Sequence, residues 1–207
     1  MFTCICDAQY NGQCDEETVG YYHTVNDGVD LVFVDHPSYR RFGGLYGDSH
    51  GTYGDNQWRF KLLCLAALEA PLKLPLGEKG VYGQECVFVA NDWFAGLVPV
   101  YLAARYRAYG LYLGARSILA IHNLRHQGVF PPGTFTMLGL PETWTGCMEW
   151  QYPPHLRLGM LPCSILSCYK ASLTFMFGTS APVFFTKILD CMPEALVPSY
   201  FSKLYLF

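Results

Sequence analysis

The sequence has no C-x-x-C pair, although it carries nine cysteines, at 4, 6, 14, 64, 86, 147, 163, 168 and 191. An odd count at irregular spacing argues against a secreted disulfide framework. Cys4 and Cys6 form a C-x-C with no partner pair nearby, a weak metal signal. Most of these thiols are therefore expected to be reduced. Charge is also sparse: 15% of residues are charged, with 14 Lys and Arg against 17 Asp and Glu. A formal net charge of -3 leaves no basic footprint for nucleic acid. No basic region followed by an apolar run opens the chain, so no secretory signal is expected. The acids Asp7, Asp15, Glu16 and Glu17 are wrong for an organelle transit peptide. An uncharged run of 16 residues, Ala171 to Thr186, is broken by Gly178 and Pro182 and is too short for a good membrane span. No internal repeat or low-complexity tract is present. Gly43-Gly44-Leu45 follows a loop rather than a strand, so it does not read as a phosphate cradle.

What is there is apolar and aromatic. Of 207 residues, 51% are apolar, enough for a sizeable core and too many for a disordered chain. Fifteen Tyr and 14 Phe suit such a core, and they also suit a sugar-binding cleft.

The middle of the chain alternates strand and helix signals. Val29–Val34 (VDLVFV), Cys86–Ala90 (CVFVA) and Ser117–Ile121 (SILAI) predict buried strands. Asp35–Asp55 predicts a long loop. Asp55–Ala70 predicts a helix capped by Asp55 or Asn56 and ended by Pro71. Trp93–Tyr106 predicts a second helix, kinked at Pro99. This order implies an α/β domain with a parallel sheet. From about Arg157 the alternation stops, and only six of the last 51 residues are charged.

Polar clusters follow two of the strands. Asn91-Asp92-Trp93 follows the second, and His122-Asn123 follows the third. Ligands of open α/β sheets bind outside the carboxyl ends of strands, so these are the leading site candidates.

Ordered motifs extend this reading. They begin with Val32-Phe33-Val34-Asp35-His36-Pro37-Ser38-Tyr39, Leu45-Tyr46-Gly47-Asp48 and Tyr53-Gly54-Asp55-Asn56-Gln57-Trp58-Arg59-Phe60. Tyr82-Gly83-Gln84, Val89-Ala90-Asn91-Asp92-Trp93 and Ala95-Gly96-Leu97-Val98-Pro99 follow. Ile121-His122-Asn123-Leu124, Gln127-Gly128, Leu138-Gly139-Leu140-Pro141 and Glu149-Trp150 complete the set. Together, over roughly Thr18 to Pro154, they resemble plant soluble starch synthases, within the glycogen and starch synthase family. The motifs look most like the starch synthase I branch.

The resemblance implies an α/β fold, a partial Rossmann-like N-terminal domain of a two-domain GT-B glycosyltransferase with an irregular apolar tail. It implies an unmatched segment at 1–17, a partial catalytic domain at 18–156 and an unmatched tail at 157–207. The implied reaction moves glucose from ADP-glucose to the non-reducing end of an α-1,4-glucan, with retention. ADP-glucose is a substrate there, no cofactor is implied, and the implied location is the plastid. The family's opening Lys-x-Gly-Gly-Leu loop is absent ahead of the first matched strand. The half that supplies most donor contacts is also unmatched, so these residues alone are expected to be inactive. Two alternatives stand beside this one: a non-catalytic glucan-binding fragment, and an unstable pseudogene-like product.

By resemblance, Asp92 matches the aspartate of the family's Asp-Trp-His motif, able to orient sugar hydroxyls or stabilise developing positive charge. A helix N-cap is its bland alternative. His122 and Asn123 match the histidine and asparagine near the transferred glucose; the alternative is a histidine satisfied within a loop. His122 and His126 stand at zinc-ligand spacing, but Asn123 replaces the needed glutamate, and no metal is expected. Trp93 and Tyr53 match aromatic positions on the glucan acceptor side, with core packing as the alternative. Phe94 departs from the motif's histidine, and a catalytic role for that histidine would leave any relative carrying this change impaired. Arg125 departs too, placing a charge near His122. Asp35, Asp48 and Asp55 could be paired glycosidase carboxylates, but turn and cap chemistry explains them better.

Overall fold

A computed structural model describes residues 2–10, 13–76, 80–123, 126–151, 164–167 and 205–206. Strand β1 (Phe2–Tyr10) pairs antiparallel with β2 (Gln13–Asn26), and β2 pairs antiparallel with β3 (Val29–Asp35). The β2–β3 connection is a two-residue hairpin: Asn26 faces Val29 across the ladder. Asp27 and Gly28 both take positive φ, at 50° and 76°. That matches the twist of the flanking strands, and Asp-Gly is a preferred pair for it.

Short strands β4 (Gly47–Asp48) and β5 (Gly51–Thr52) form a small hairpin inside the long loop. Helix α1 (Asn56–Lys73) follows. Asp55 is its N-cap residue but makes no side-chain cap bond, because its carboxylate is taken by Arg41. Pro71 does not end the helix, contrary to expectation; it lies within the last turn, and Leu74 N–H still bonds Ala70 O. The Pro71 carbonyl is used as well, accepting Gly83 N–H at 2.8 Å. Most of α1 is buried on all sides, so it is a central helix rather than an amphipathic surface one.

Strands β6 (Val87–Asn91) and β7 (Arg116–Ala120) pair in parallel, with Asn91 opposite Ala120. Between them the expected single helix is broken. Residues 93–97 turn, α2 (Val98–Tyr101) is short, and a π-helical turn (Leu102–Tyr106) and a 3-10 turn (Arg107–Tyr109) follow. Pro99 opens α2 instead of kinking it, a place where its missing N–H costs nothing. Gly110 stops the run at φ 82°.

Then come β8 (Val129–Phe130), a 3-10 segment (Pro132–Leu138), α3 (Thr145–Met148) and β9 (Glu149–Gln151). β10 (Ser164–Ser167) lies between β8 and β9, antiparallel to both. β11 (Tyr205–Leu206) runs parallel to β3. Parallel pairs thus exist, but β3 sits in a different sheet from β6 and β7 among the described residues. The expected tail beyond 157, including the run Ala171–Thr186, lies mostly outside the described residues. No helix among the described residues is long and apolar enough to cross a membrane.

Tyrosine hydroxyls tie α1 to its surroundings. Tyr21 donates to Ala66 O at 2.8 Å and Tyr112 to Leu68 O at 2.6 Å. Each gives a mid-helix carbonyl a second hydrogen bond and lets a large ring fill the core with its polar end satisfied. Buried Lys61 reaches Met137 O at 2.8 Å. The strands, by contrast, are not buried on both faces as expected. Phe88 and Ala90 point into the core, while Val89 and its cross-strand partner Ile118 are each 50% exposed.

Candidate functional site

The site begins where β6 and β7 end. Because the two strands are parallel and in register, their carboxyl ends share one edge, and the chain leaving each one meets the other. Asp92 leaves β6 at φ 56°, an uncommon region for a residue with a side chain. Its N–H donates to Ala120 O at 2.8 Å. Its Oδ1 accepts two backbone amides, from His122 at 2.8 Å and from Asn123 at 3.3 Å. Asp92 therefore clasps the turn after β7 rather than capping a helix at Trp93. A positive-φ turn is held because its geometry delivers three hydrogen bonds.

The exposed His122 ring turns back along the clasp. Its Nε2 lies 3.0 Å from Asn91 Oδ1, within hydrogen-bond distance. Arg125 lies outside the described residues.

A groove of about 570 Å³ opens beside the clasp. Asp92, Trp93, Asn123 and Tyr53 line it, so four of the five sequence-predicted residues converge there. His122 is not among its lining residues, although His126 is. Among the described residues no group of three or more His, Cys, Asp or Glu gathers as a metal would require.

The aromatic wall is built outward from α1. Phe60 meets Trp93 edge to face at 4.9 Å, and Tyr46 stacks on Trp93 at 5.8 Å and 27°. Phe130 lies 6.0 Å from Trp93 and also lines the groove. Both bland and functional readings of Trp93 therefore apply: it packs on the core with one part and faces the groove with another. Tyr53 is held by its hydroxyl, which donates to Phe42 O at 3.1 Å, and by Arg41 and Arg59 against its ring.

Tyr46 and Asn56 line the groove and were not singled out from sequence. Asn56 Nδ2 donates to Tyr46 O at 2.8 Å, fixing the loop that presents Tyr46. Burial, and then the charge of Asp92, push the Tyr46 hydroxyl above its ordinary value. The signal for it was available: an aromatic in the same glycine-rich loop that supplies Tyr53.

Phe94 faces elsewhere. Its ring lies 5.8 Å from Phe60, its carbonyl accepts Cys64 Sγ–H at 3.3 Å, and it lines a separate small cavity against Cys64 and Ala67. The loop acids are spent on turns and ion pairs. Asp35 pairs with Arg40, Asp55 with Arg41, and Asp48 Oδ1 accepts His50 N–H at 2.8 Å. The Arg40 bonds hold the Asp35 carboxyl below its ordinary range. At Asp55 burial raises the carboxyl, but the Arg41 bonds outweigh it and the result is lowered.

Comparison with known proteins places this arrangement. The family described as "Starch synthase catalytic domain" matches residues 2–186. The chain is 59% identical over 142 residues to soluble starch synthase 1 of Oryza sativa subsp. japonica, covering 69% of this chain and 22% of the relative. It is 60% identical over 141 residues to starch synthase 1 of Arabidopsis thaliana, covering 68% of this chain and 22% of that one. Granule-bound starch synthase 1 of Ipomoea batatas matches at 43% over 144 residues, covering 64% of this chain and 24% of that one. The chain thus spans under a quarter of the length of these relatives. Among solved structures, the catalytic domain of starch synthase IV from Arabidopsis thaliana, bound to ADP and acarbose, matches with a TM-score of 0.58. That match, at 20% identity over 84% of this chain and 31% of that one, shows the fold: mixed α/β, as in part of a GT-B catalytic domain. With the family match running over most of its length, this chain belongs to the starch synthase catalytic-domain family.

Proposed function

We propose that this chain supplies the acceptor-side wall of a glucosyltransferase that moves glucose from ADP-glucose to the non-reducing end of an α-1,4-glucan with retention. The observation that carries the reading is the convergence of Asp92, Trp93, Asn123 and Tyr53 on one groove at the carboxyl ends of two parallel strands. Trp93, Tyr46 and Tyr53 would give the apolar faces of glucose units a platform, with polar edges left for their hydroxyls. Asp92 would place negative charge beside the anomeric carbon where positive charge develops. Its Oδ1 is already fixed by two amides, so it need not reorganise when the charge appears. His122, tied to Asn91, would hold the turn that presents Asn123. Catalysis of this kind asks for no cofactor, and the plastid names of the relatives support a plastid location.

The donor's nucleotide and phosphates would be met mostly by a second domain beyond the region spanned here. These 207 residues alone are therefore proposed to bind glucan without turning over ADP-glucose. The test is radiolabelled ADP-glucose incorporation into a glycogen primer by the purified chain, beside a maltooligosaccharide titration of its Trp fluorescence. Saturable binding without incorporation is expected. Incorporation would overturn the donor assignment, and absence of any sugar-dependent shift would overturn the acceptor reading.

A further inference from the structure

A further cavity of about 360 Å³ is bounded by Tyr39, Arg41, Gly43, Gly44 and Arg59 and by four apolar side chains. Arg59 is unusual there. It is 2% exposed, yet its charge has no ion pair among the described residues. Nε donates to Ser38 O at 3.0 Å, and Nη1 to Leu45 O at 3.1 Å and Asn56 Oδ1 at 2.6 Å. Nη2 has no hydrogen bond among the described residues and is not sealed from solvent, so it is reachable from the cavity side. A buried guanidinium met only by neutral groups is costly to keep, and its spare N–H pair is an anion donor in waiting.

Arg41 adds a second guanidinium. Its carbon and that of Arg59 lie 5.0 and 5.2 Å from the centre of the same Tyr53 ring. The like charges are close enough to oppose each other, and only one carboxylate, Asp55, stands between them and neutrality. Asp55 spends both oxygens on Arg41, leaving the Arg59 charge over. The cavity exceeds what a bare anion fills. Its walls combine this surplus charge with the ring of Tyr39 and the apolar side chains of Val34, Leu45, Phe60 and Leu63.

We propose that this cavity is a binding site for a phosphate group, held by Arg59 Nη2 with help from Arg41. An occupant would steady the loop over 40–47, whose Tyr46 lines the acceptor groove, so the site would report phosphate to that groove. Anion binding in the cavity is independent of the glucan reading; only the link through Tyr46 to the groove rests on it.

The test is calorimetric titration of the intact chain with inorganic phosphate and, separately, glucose 6-phosphate, at ~10 mM ionic strength where screening is weak. Saturable binding is expected. Tighter binding of the ester identifies a sugar phosphate as the occupant, and tighter binding of inorganic phosphate identifies the free ion. Asp55→Asn should tighten either ligand by a factor of about 3 to 10, since it removes the competing charge. Arg41→Gln should weaken it similarly, because Asp55 is then unpaired and repels. Arg59→Lys should abolish binding, but it risks the fold, so the opposite responses of the other two variants decide. No saturable binding, or binding indifferent to both, overturns the proposal.

Discussion

The carboxylate of Asp92 reaches from the end of one parallel strand to the backbone of His122 beyond the end of the next, at 2.8 Å. The clasp sets the edge of the groove, so its parts can be separated by substitution. Asp92→Ala removes both side-chain bonds and strands two amides, costing about 1–3 kcal/mol. Asp92→Asn keeps an acceptor oxygen at the same place and should cost about 1 kcal/mol or less. Urea denaturation compares them. Equal losses would mean that charge, not the amide bonds, holds the turn.

Tyr46 separates sugar binding from folding better than Trp93 does. Trp93 touches Phe60, Phe94 and Phe130, and its loss would disturb the core. Tyr46 is 40% exposed. Tyr46→Ala should weaken maltooligosaccharide binding by about 1 kcal/mol, roughly fivefold, through loss of one stacking surface. The Trp fluorescence titration reads this directly, and an unchanged affinity would remove Tyr46 from the acceptor wall.

Gly28 at φ 76° has open space where a Cβ would stand. Gly28→Ala therefore meets no clash and feels only backbone strain. A loss of about 1 kcal/mol is expected by denaturant titration. A gain would show that reduced freedom of the unfolded chain outweighs the hairpin's need for positive φ.

Burial, and then the charge of Glu85, push the Cys86 thiol from an ordinary 9 up to about 11. The folded chain thus holds this proton more tightly than the unfolded chain does. Its contribution is full below pH 9 and declines as pH rises towards 11. The group is partly exposed, so solvent screening reduces the effect to about 1 kcal/mol. Tyr112 is shifted upward by burial too and acts in the same direction. Cys86→Ala should flatten part of the alkaline loss of stability without removing it, as a series of melts from pH 8 to about 11 would show.

Much of the site was legible because it depends on where strands end. Short apolar runs marked β6 and β7, so Asn91-Asp92 and His122-Asn123 could each be set at a strand end, where ligands of such sheets bind. The helix between them was not legible. Its apolar spacing is helical, but Pro99 and Gly96 leave only short turns at 93–109. β2 is not legible from alternation, because Asp15, Glu16 and Glu17 stand consecutively within it. The strands that looked fully buried carry one open face, since an unbroken apolar run does not say how many faces are covered. What sequence could not supply was direction: that Asp92 turns to two amides, and Phe94 away from the groove.

That last point yields the clearest test. By the sequence resemblance, Phe94 stands where the motif has histidine, a departure that would impair the site if that histidine were catalytic. In the structure its ring packs toward Phe60 and the Cys64 side of α1, and the groove is lined without it. Restoring the motif by Phe94→His should therefore bring an imidazole among aromatic and aliphatic neighbours. The uncompensated polar nitrogens should cost about 1–3 kcal/mol of stability. Maltooligosaccharide affinity should stay within about twofold, because Phe94 does not line the groove and meets its lining only in the edge contact with Trp93. Thermal melts and the fluorescence titration measure the two separately. Tighter sugar binding in Phe94→His, with stability kept, would mean that position 94 can swing to the groove and that phenylalanine there does remove a sugar contact.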